Sequence, residues 1–277
     1  MTLLKEFLEA LLAPGFPFLR NALLASLLQA VLFGVLGALV TVRRIASLAG
    51  AVSHAALGGI GMALFFGALG LALPPLAGAL IFALLSALVI GLVSRRGRGQ
   101  EDTVINAIWA IGMSVGILFL ARTPGYADPQ SYLFGNILLV SGRELLLLAL
   151  LDGAALFLAW RFYPQIQACA FDEDFARVRG VPARAVFFCL LAFVAAAIVL
   201  LQSSVGIVMV IAMLTLPAGC AAPRSRSLAA LMLRASLFAA LFSLSGVIAG
   251  WFLDLPAGAL TVVAAGVGFL CRRGGRG

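Results

Sequence analysis

The chain has 277 residues, of which 63% are apolar and 11% charged, with a mean hydropathy of +1.14 and a formal net charge of +8. Soluble domains carry about 25% charged residues, so the composition excludes an ordinary soluble protein and indicates a polytopic protein embedded in membrane lipid. The positive charge does not indicate a nucleic-acid partner, because the arginines are scattered over short segments and form no basic, aromatic-interleaved face.

Residues 1–20 begin with "MTLLKEFLEALLAPGF", in which Lys5 is accompanied by two acids and Pro14 ends the pattern. A signal peptide would need a basic start and a longer apolar run. The segment is therefore predicted to be a short amphipathic helix at the outer surface of the membrane.

Apolar runs long enough to cross a hydrocarbon core of about 30 Å recur along the rest of the sequence. Helices are expected, because no segment alternates as a membrane β-strand does. The fold class predicted is an all-α membrane bundle of about eight or nine transmembrane helices, forming one domain over residues 1–277. The predicted spans lie near 22–41, 51–72, 75–94, 103–121, 143–160, 184–202, 207–222, 228–251 and 257–271.

Two segments leave the number of membrane crossings open. The span at 207–222 is short and contains Pro217, and the stretch "SYLFGNILLVSG", residues 131–142, could form a separate short helix. Both eight and nine crossings are therefore compatible with the sequence.

Orientation follows from the arginines, since positive residues in short connections favour the cytoplasm. Placing the arginine-rich span ends inside puts the N-terminus outside and the C-terminus in the cytoplasm. We expect a multi-pass protein of the inner (plasma) membrane. The span ends placed inside carry Arg43, Arg44, Arg95, Arg96, Arg98, Arg161, Arg177, Arg179, Arg184, Arg224, Arg226, Arg272, Arg273 and Arg276.

The only histidine, His54, lies in the second predicted span. An ionisable residue inside a membrane is costly and rare, which makes His54 a candidate functional residue. A neutral histidine bonded to a nearby carbonyl is the structural alternative.

Three acidic residues in the spans or at their edges have structural interpretations. Asp152 lies about half-way through the fifth span, where an unpaired carboxylate is expensive. It is therefore expected to have a partner, to be neutral, or to lie near an aqueous pathway, and a partner is the first expectation. Glu101 and Asp102 begin the fourth span and are expected to complement the helix dipole there.

The four cysteines are far apart and form no CxxC pair. A disulfide framework or a structural zinc site is therefore not expected, and small buried hydrophobes are the favoured role.

The sequence contains no phosphate-binding loop, because its sole lysine is Lys5. The chain is therefore not expected to be an enzyme, and ATP hydrolysis would require a separate subunit. A docking segment for such a subunit is suggested by "FDEDFARVRGVPAR", in which acids precede arginines as the helix dipole favours. Gly180 and Pro182 would end that helix, and a merely solvated helix is the alternative interpretation.

Six stretches together resemble the permease subunits of zinc/manganese ABC importers, over nearly the whole chain. They are "RRIASLAGAVSHAALGGIG", "EDTVINAIWAIGMSVGILFLA", "SYLFGNILLVS", "DEDFARVRGVP", "VGIVMVIAMLTLPAGCA" and "DLPAGALTVV". The family's motifs occur in the same order, which makes a chance similarity implausible.

The resemblance implies an importer with two permease copies, two cytoplasmic ATP-binding subunits and an extracytoplasmic metal-binding protein. No cofactor would be bound permanently; a divalent metal ion would be the cargo, zinc first, with manganese and iron as alternatives. His54 would be a ligand on its path, since imidazole suits transition metals. The weaker candidates for completing the site are Ser47, Ser53, Asn106 and Met113. The segment 170–183 would enter the ATPase through Asp172, Glu173, Ala176 and Gly180, and Asp128 and Asp254 at the outer surface could meet the metal-binding protein or be simply solvated.

The chain departs from the family pattern at two places. Many members carry an acid one helical turn before the histidine, where this chain has Gly50, and several carry a second histidine where it has Ala110. A carboxylate at position 50 would share a helix face with His54, so Gly50→Asp is expected to create a tighter ligand pair.

Two other functions stay open from the sequence. A siderophore- or cobalamin-type ABC permease also pairs a helical subunit with separate ATPases, but its wide pathway would need no imidazole. An ion-coupled secondary carrier would place ionisable groups near the midplane, where only His54 and Asp152 qualify.

Overall fold

The protein is described by a computed structural model that covers residues 17–71, 73–94, 101–124, 135 and 137–274, with residues 9 and 11 and without the side chains of 101, 138, 273 and 274. Eleven α-helices lie in these residues. They are α1 (Phe18–Val42), α2 (Ala46–Ala68), α3 (Pro75–Ser94), α4 (Glu101–Arg122), α5 (Gly142–Arg161), α6 (Tyr163–Phe171), α7 (Glu173–Val178), α8 (Ala183–Val205), α9 (Ile207–Ala221), α10 (Leu228–Leu253) and α11 (Ala257–Gly274).

The all-helical bundle predicted from composition is confirmed, and each of the nine predicted spans coincides with a helix. Within the described residues, seven helices are long and apolar enough to cross a membrane, and the bent pair α5 and α6 raises that number to eight. The predicted crossing at 257–271 is a shorter apolar helix. The doubtful span at 207–222 is helical despite Pro217, whereas 131–142 contributes one described 3-10 turn, Ile137–Leu139.

The predicted outer amphipathic segment lies almost wholly outside the described residues, and α1 already begins at Phe18. The chain divides into two compact units. One comprises the described parts of 1–41, 134–160 and 204–277, and the other those of 42–133 and 161–203. The second unit contains α2, the helix that carries His54, and the predicted docking segment.

In the second unit, α2 packs against both α3 and α4. Small residues allow this close approach, as they commonly do between membrane helices. A Cβ added at Gly112 of α4 would lie 2.5 Å from the Cα of Ala55, and one at Gly116 would lie 2.8 Å from the carbonyl oxygen of Leu57. The GxxxG pair Gly112 and Gly116 of α4 therefore serves close helix packing.

In the first unit, α9, α10 and α11 pack against one another. Gly246 of α10 leaves room for Thr261 of α11, and a Cβ at Gly37 of α1 would lie 2.6 Å from the carbonyl oxygen of Leu214. A buried hydrogen bond of 3.0 Å from Gln29 Nε2 to Ser204 Oγ joins α1 to α8. Close backbone contacts and hydrogen bonds between helices therefore both contribute to this unit.

Two motif glycines meet in the first unit. Gly135 and Gly206 have φ angles of +58° and +82°, in the left-handed region that favours glycine. A Cβ at Gly135 would collide with the backbone at Val205 and Gly206. Gly135 and Gly206, which belong to two of the quoted motifs, therefore lie in one backbone contact beside the turn that separates α8 from α9.

Asp152 differs from its prediction. Its side chain is 6% exposed, and within the described part of the chain neither carboxyl oxygen has a hydrogen-bond partner. The expected partner is thus not found. The cysteines are all free, as predicted, but only Cys169 and Cys220 are buried, whereas Cys189 and Cys271 are exposed; the burial expected for the latter two was wrong.

Candidate functional site

His54 lies in the buried middle of α2, where its side chain is 8% exposed. Its imidazole stacks on the indole of Trp109 from α4, with ring centroids 4.7 Å apart and an interplanar angle of 20°. Among the described residues, Nδ1 of His54 has no hydrogen-bond partner. The structural alternative raised by the sequence, a neutral histidine bonded to a nearby carbonyl, therefore has no support at Nδ1.

Gly50 lies one turn before His54 and faces the same indole. A Cβ added at Gly50 would lie 2.6 Å from Cζ3 of Trp109 and 3.0 Å from Cη2, closer than non-bonded carbons approach. A side chain at position 50 therefore requires the Trp109 ring to shift, so the tighter ligand pair expected of Gly50→Asp stays a prediction that depends on that shift.

The other predicted metal ligands are dispersed. Ser53 is fully buried and its hydroxyl lacks a partner in the described residues. Ser47 lines a small cavity together with Asp102. Asn106 is exposed and Met113 half-buried on α4. Over the ranges that the structure describes, no group of three His, Cys, Asp or Glu side chains is placed to hold a metal ion.

The predicted docking segment is a capped helix, as its sequence indicated. The Asp172 carboxylate accepts a hydrogen bond of 2.9 Å from the Phe175 N–H at the start of α7. At the other end, the N–H of Gly180 bonds to the carbonyl of Arg177 at 2.9 Å and that of Val181 to Ala176 at 3.0 Å. These two bonds form a Schellman ending, for which Gly180 supplies a φ of +78°.

Burial separates the residues of this segment into two groups. Ala176 is fully buried and packs with Cys169 and Ala183 inside the unit. Phe175 and Val178 are 50% and 88% exposed. The apolar surface that α7 presents outward therefore comes from residues that the sequence did not single out.

Arg43 ties this segment to the turn before α2. Its guanidinium donates to the Cys169 carbonyl, lies 3.4 Å from the carboxylate of Glu173, and sits 4.9 Å from the centre of the Phe187 ring. The sequence marked Arg43 only as a cytoplasmic charge. Its position in the motif that leads to His54 was the one signal of a further role.

The roles of the outer acidic residues Asp128 and Asp254 stay predictions. Asp254 is exposed and ends α10 in a left-handed conformation, with φ 53°. Asp128 lies outside the described residues.

The helices and the buried imidazole define a multi-pass membrane protein with a polar position in its interior. Residues 15–272 match the ABC 3 transport family, and the chain belongs to that family. It is therefore a membrane permease subunit of the ABC metal-transport type, and it is not a catalytic subunit.

This chain is similar to the following three proteins. A "Probable metal transport system membrane protein" of Chlamydia muridarum is 32% identical, over 91% of this chain and 87% of its own length. The "Manganese transport system membrane protein MntC" of Listeria innocua is 28% identical, over 95% and 91%. A chain of the structure "PsaBC from Streptococcus pneumoniae in complex with Fab" superimposes with a TM-score of 0.85 at 29% identity, over 97% of this chain and 95% of that one.

Proposed function

We propose that this permease carries a divalent first-row transition metal, zinc first, along a path on which His54 is a ligand. The observation that carries the proposal is the buried imidazole, which is 8% exposed and has no partner at Nδ1 among the described residues. An ionisable side chain in the membrane interior is costly and is usually functional. The names of the metal- and manganese-transport relatives support a metal as the cargo.

The donor chemistry favours zinc over manganese. Imidazole suits zinc and iron, whereas carboxylate, carbonyl and water oxygens suit manganese. This chain has Gly50 one turn before His54, so the carboxylate that would favour manganese is missing there. Zinc therefore ranks first although the Listeria relative is named for manganese, and manganese and iron are the competing cargoes.

A single imidazole makes a transient site. Structural zinc sites use four protein ligands, and an ion that must leave again needs weaker binding. Water would supply the remaining ligands, together with the buried hydroxyl of Ser53, which lacks a partner in the part of the chain described. The metal is then cargo, and no permanently bound cofactor is needed.

The proposed energy source is a cytoplasmic ATP-binding subunit that docks on residues 170–183. The capped helix α7 offers a fixed shape, and Phe175 and Val178 offer an exposed apolar surface. Asp172 and Gly180 set its two ends, while Ala176 packs its inner side. Of the charged residues, Glu173 pairs with Arg43 and Arg177 and so holds the segment in place.

The complete importer proposed contains two copies of this permease, each a single domain over residues 1–277, in the inner (plasma) membrane. The N-terminus lies outside and the C-terminus inside, as the arginines indicate. An extracytoplasmic metal-binding protein delivers the ion near Asp128 and Asp254.

The test is ATP-driven uptake by the whole assembly in sealed vesicles, with zinc, manganese and iron in competition. We expect zinc uptake that requires ATP and that manganese and iron compete with only weakly. Uptake of a metal only as an organic chelate would instead support the siderophore-type permease, and uptake driven by an ion gradient without ATP would support a secondary carrier.

A further inference from the structure

We propose that Trp109 determines the donor set at His54: its indole holds the imidazole in place by stacking and fills the space that a side chain at position 50 would need. The inference rests on the proposed function, in that the cargo is taken to be a divalent metal ion. The observations that support it are the stacking of His54 on Trp109 and the collision of a Cβ at Gly50 with the Trp109 ring.

The indole of Trp109 orients the imidazole of His54. A histidine that binds metal usually donates its second ring nitrogen to a carboxylate or carbonyl, which fixes the ring. Nδ1 of His54 has no such partner among the described residues. The Trp109 indole instead lies almost parallel to the imidazole, at 20° and 4.7 Å, and so holds the ring through its face.

Stacking leaves the nitrogens of His54 available. Their lone pairs and N–H bonds lie in the plane of the imidazole, whereas the indole covers one face of that plane. A metal ion approaching in the plane therefore does not compete with Trp109. The contact that orients the ring therefore does not itself engage the ring nitrogens.

Trp109 also excludes a side chain at position 50. Positions 50 and 54 are one turn apart, so their side chains would share a helix face. The atoms in the way of a Cβ at Gly50 are Cζ3, Cη2 and Cε3 of the indole, 2.6 to 3.1 Å from it. Trp109 consequently keeps position 50 without a side chain, and the ion meets one nitrogen donor and no carboxylate from this turn.

The steric half is tested without any transport, by melting the purified importer assembly. Gly50→Ala should lower the melting temperature in the parent protein. It should have little effect together with Trp109→Leu, because leucine ends at Cδ and lacks the ring atoms that collide. Gly67→Ala, in the same helix with open space around it, is the matched control. An equal loss from Gly50→Ala in both backgrounds would overturn the proposal.

The donor half is tested by uptake per assembled complex. Gly50→Asp with Trp109→Leu should raise the ratio of manganese to zinc uptake by about tenfold, the lower end of what partners around a metal contribute to affinity. Gly50→Asp alone should not give that gain. Trp109→Leu alone should reduce zinc uptake, and Trp109→Phe, which keeps a ring against the imidazole, should retain more of it.

Trp160→Leu is the matched control for the loss of an indole, because Trp160 is 77% exposed. An unchanged uptake ratio in the double variant, or a full gain from Gly50→Asp alone, would overturn the inference. Failure of the parent assembly to take up either ion would refute the proposed function instead, while the melting comparison would still decide whether Trp109 excludes a side chain at position 50.

Discussion

The Nη2 of Arg43 lies 3.4 Å from a carboxylate oxygen of Glu173, and the two side chains are only 14% and 26% exposed. Arg43 directly follows α1 and precedes α2, whereas Glu173 is the first residue of α7. The contact therefore joins the proposed ATPase-docking helix to the turn that leads into the helix of His54. We expect movement of α7 to reach α2 through this pair.

Replacement of Arg43 by methionine keeps an unbranched apolar stem but removes the guanidinium group and its charge. The Cys169 carbonyl then loses its donor and Glu173 loses one of its arginine partners, which should cost about 1–3 kcal/mol. For a chain of this size that corresponds to a fall in melting temperature of about 2–4 °C for each kcal/mol. The measurements are the melting temperature and the ATP hydrolysed per metal ion transported.

Arg43→Lys should recover only part of this effect, because an ammonium group lacks the planar fork that serves two acceptors and the Phe187 ring together. Arg184→Met, at an exposed position, is the control. If Arg43→Met melts like the parent and hydrolyses no additional ATP per ion, the pair does not transmit movement.

A second prediction concerns the exposed apolar surface of α7. Val178 is 88% exposed and Phe175 50% exposed, so aspartate at both positions should leave the fold of the permease intact. A charge in an apolar interface is costly when it is unpaired. Phe175→Asp with Val178→Asp should therefore release the ATP-binding subunit, as measured by co-purification.

The control for that pair is Asp174→Ser, since Asp174 is highly exposed and its ion pair with Arg177 lies on the surface, where such pairs contribute about 0–1 kcal/mol. Normal insertion with lost co-purification is the expected pattern. Retention of the subunit by the double variant would rule out α7 as its docking site.

The helices and their ends could be predicted from neighbouring residues alone, whereas the contacts between helices could not. The nine spans follow from apolar length, because a buried helix and a membrane helix both need such runs. The ends of α7 follow from its caps, since Asp172 and Gly180 act on neighbours within a few residues. These features require no knowledge of what packs against them.

The contacts between helices could not be predicted in the same way. Nothing in "NAIWAIG" indicates that Trp109 meets His54, because that stack depends on how α2 and α4 cross. A helix as short as Glu173–Val178 has too few turns for periodicity to assign Ala176 inward and Val178 outward. The expected partner of Asp152 was a general inference from cost, and the described helices around it supply none.

Topology gives a third prediction. Residues near 128 should be outside and residues near 97 and 225 inside, by the distribution of arginines. Single cysteines can be labelled with an impermeant reagent in a background without Cys169, Cys189, Cys220 and Cys271. Alanine is the better replacement, because Cys169 and Cys220 are buried and a hydroxyl there would need a partner.

Labelling at 128 and its absence at 97 and 225 in sealed cells is the expected result, and permeabilised cells provide the control. Labelling of position 97 from outside would reverse the proposed orientation of the chain.

The most direct test of the account is ATP-driven zinc uptake by the assembly that carries His54→Gln. Glutamine has a similar size and remains polar, but it lacks the imidazole nitrogen that a transition metal prefers. Uptake per assembled complex should fall steeply, while expression, insertion and association with the ATP-binding subunit persist. Uptake per complex near that of the parent would show that His54 is a packed structural histidine and that the metal does not depend on it.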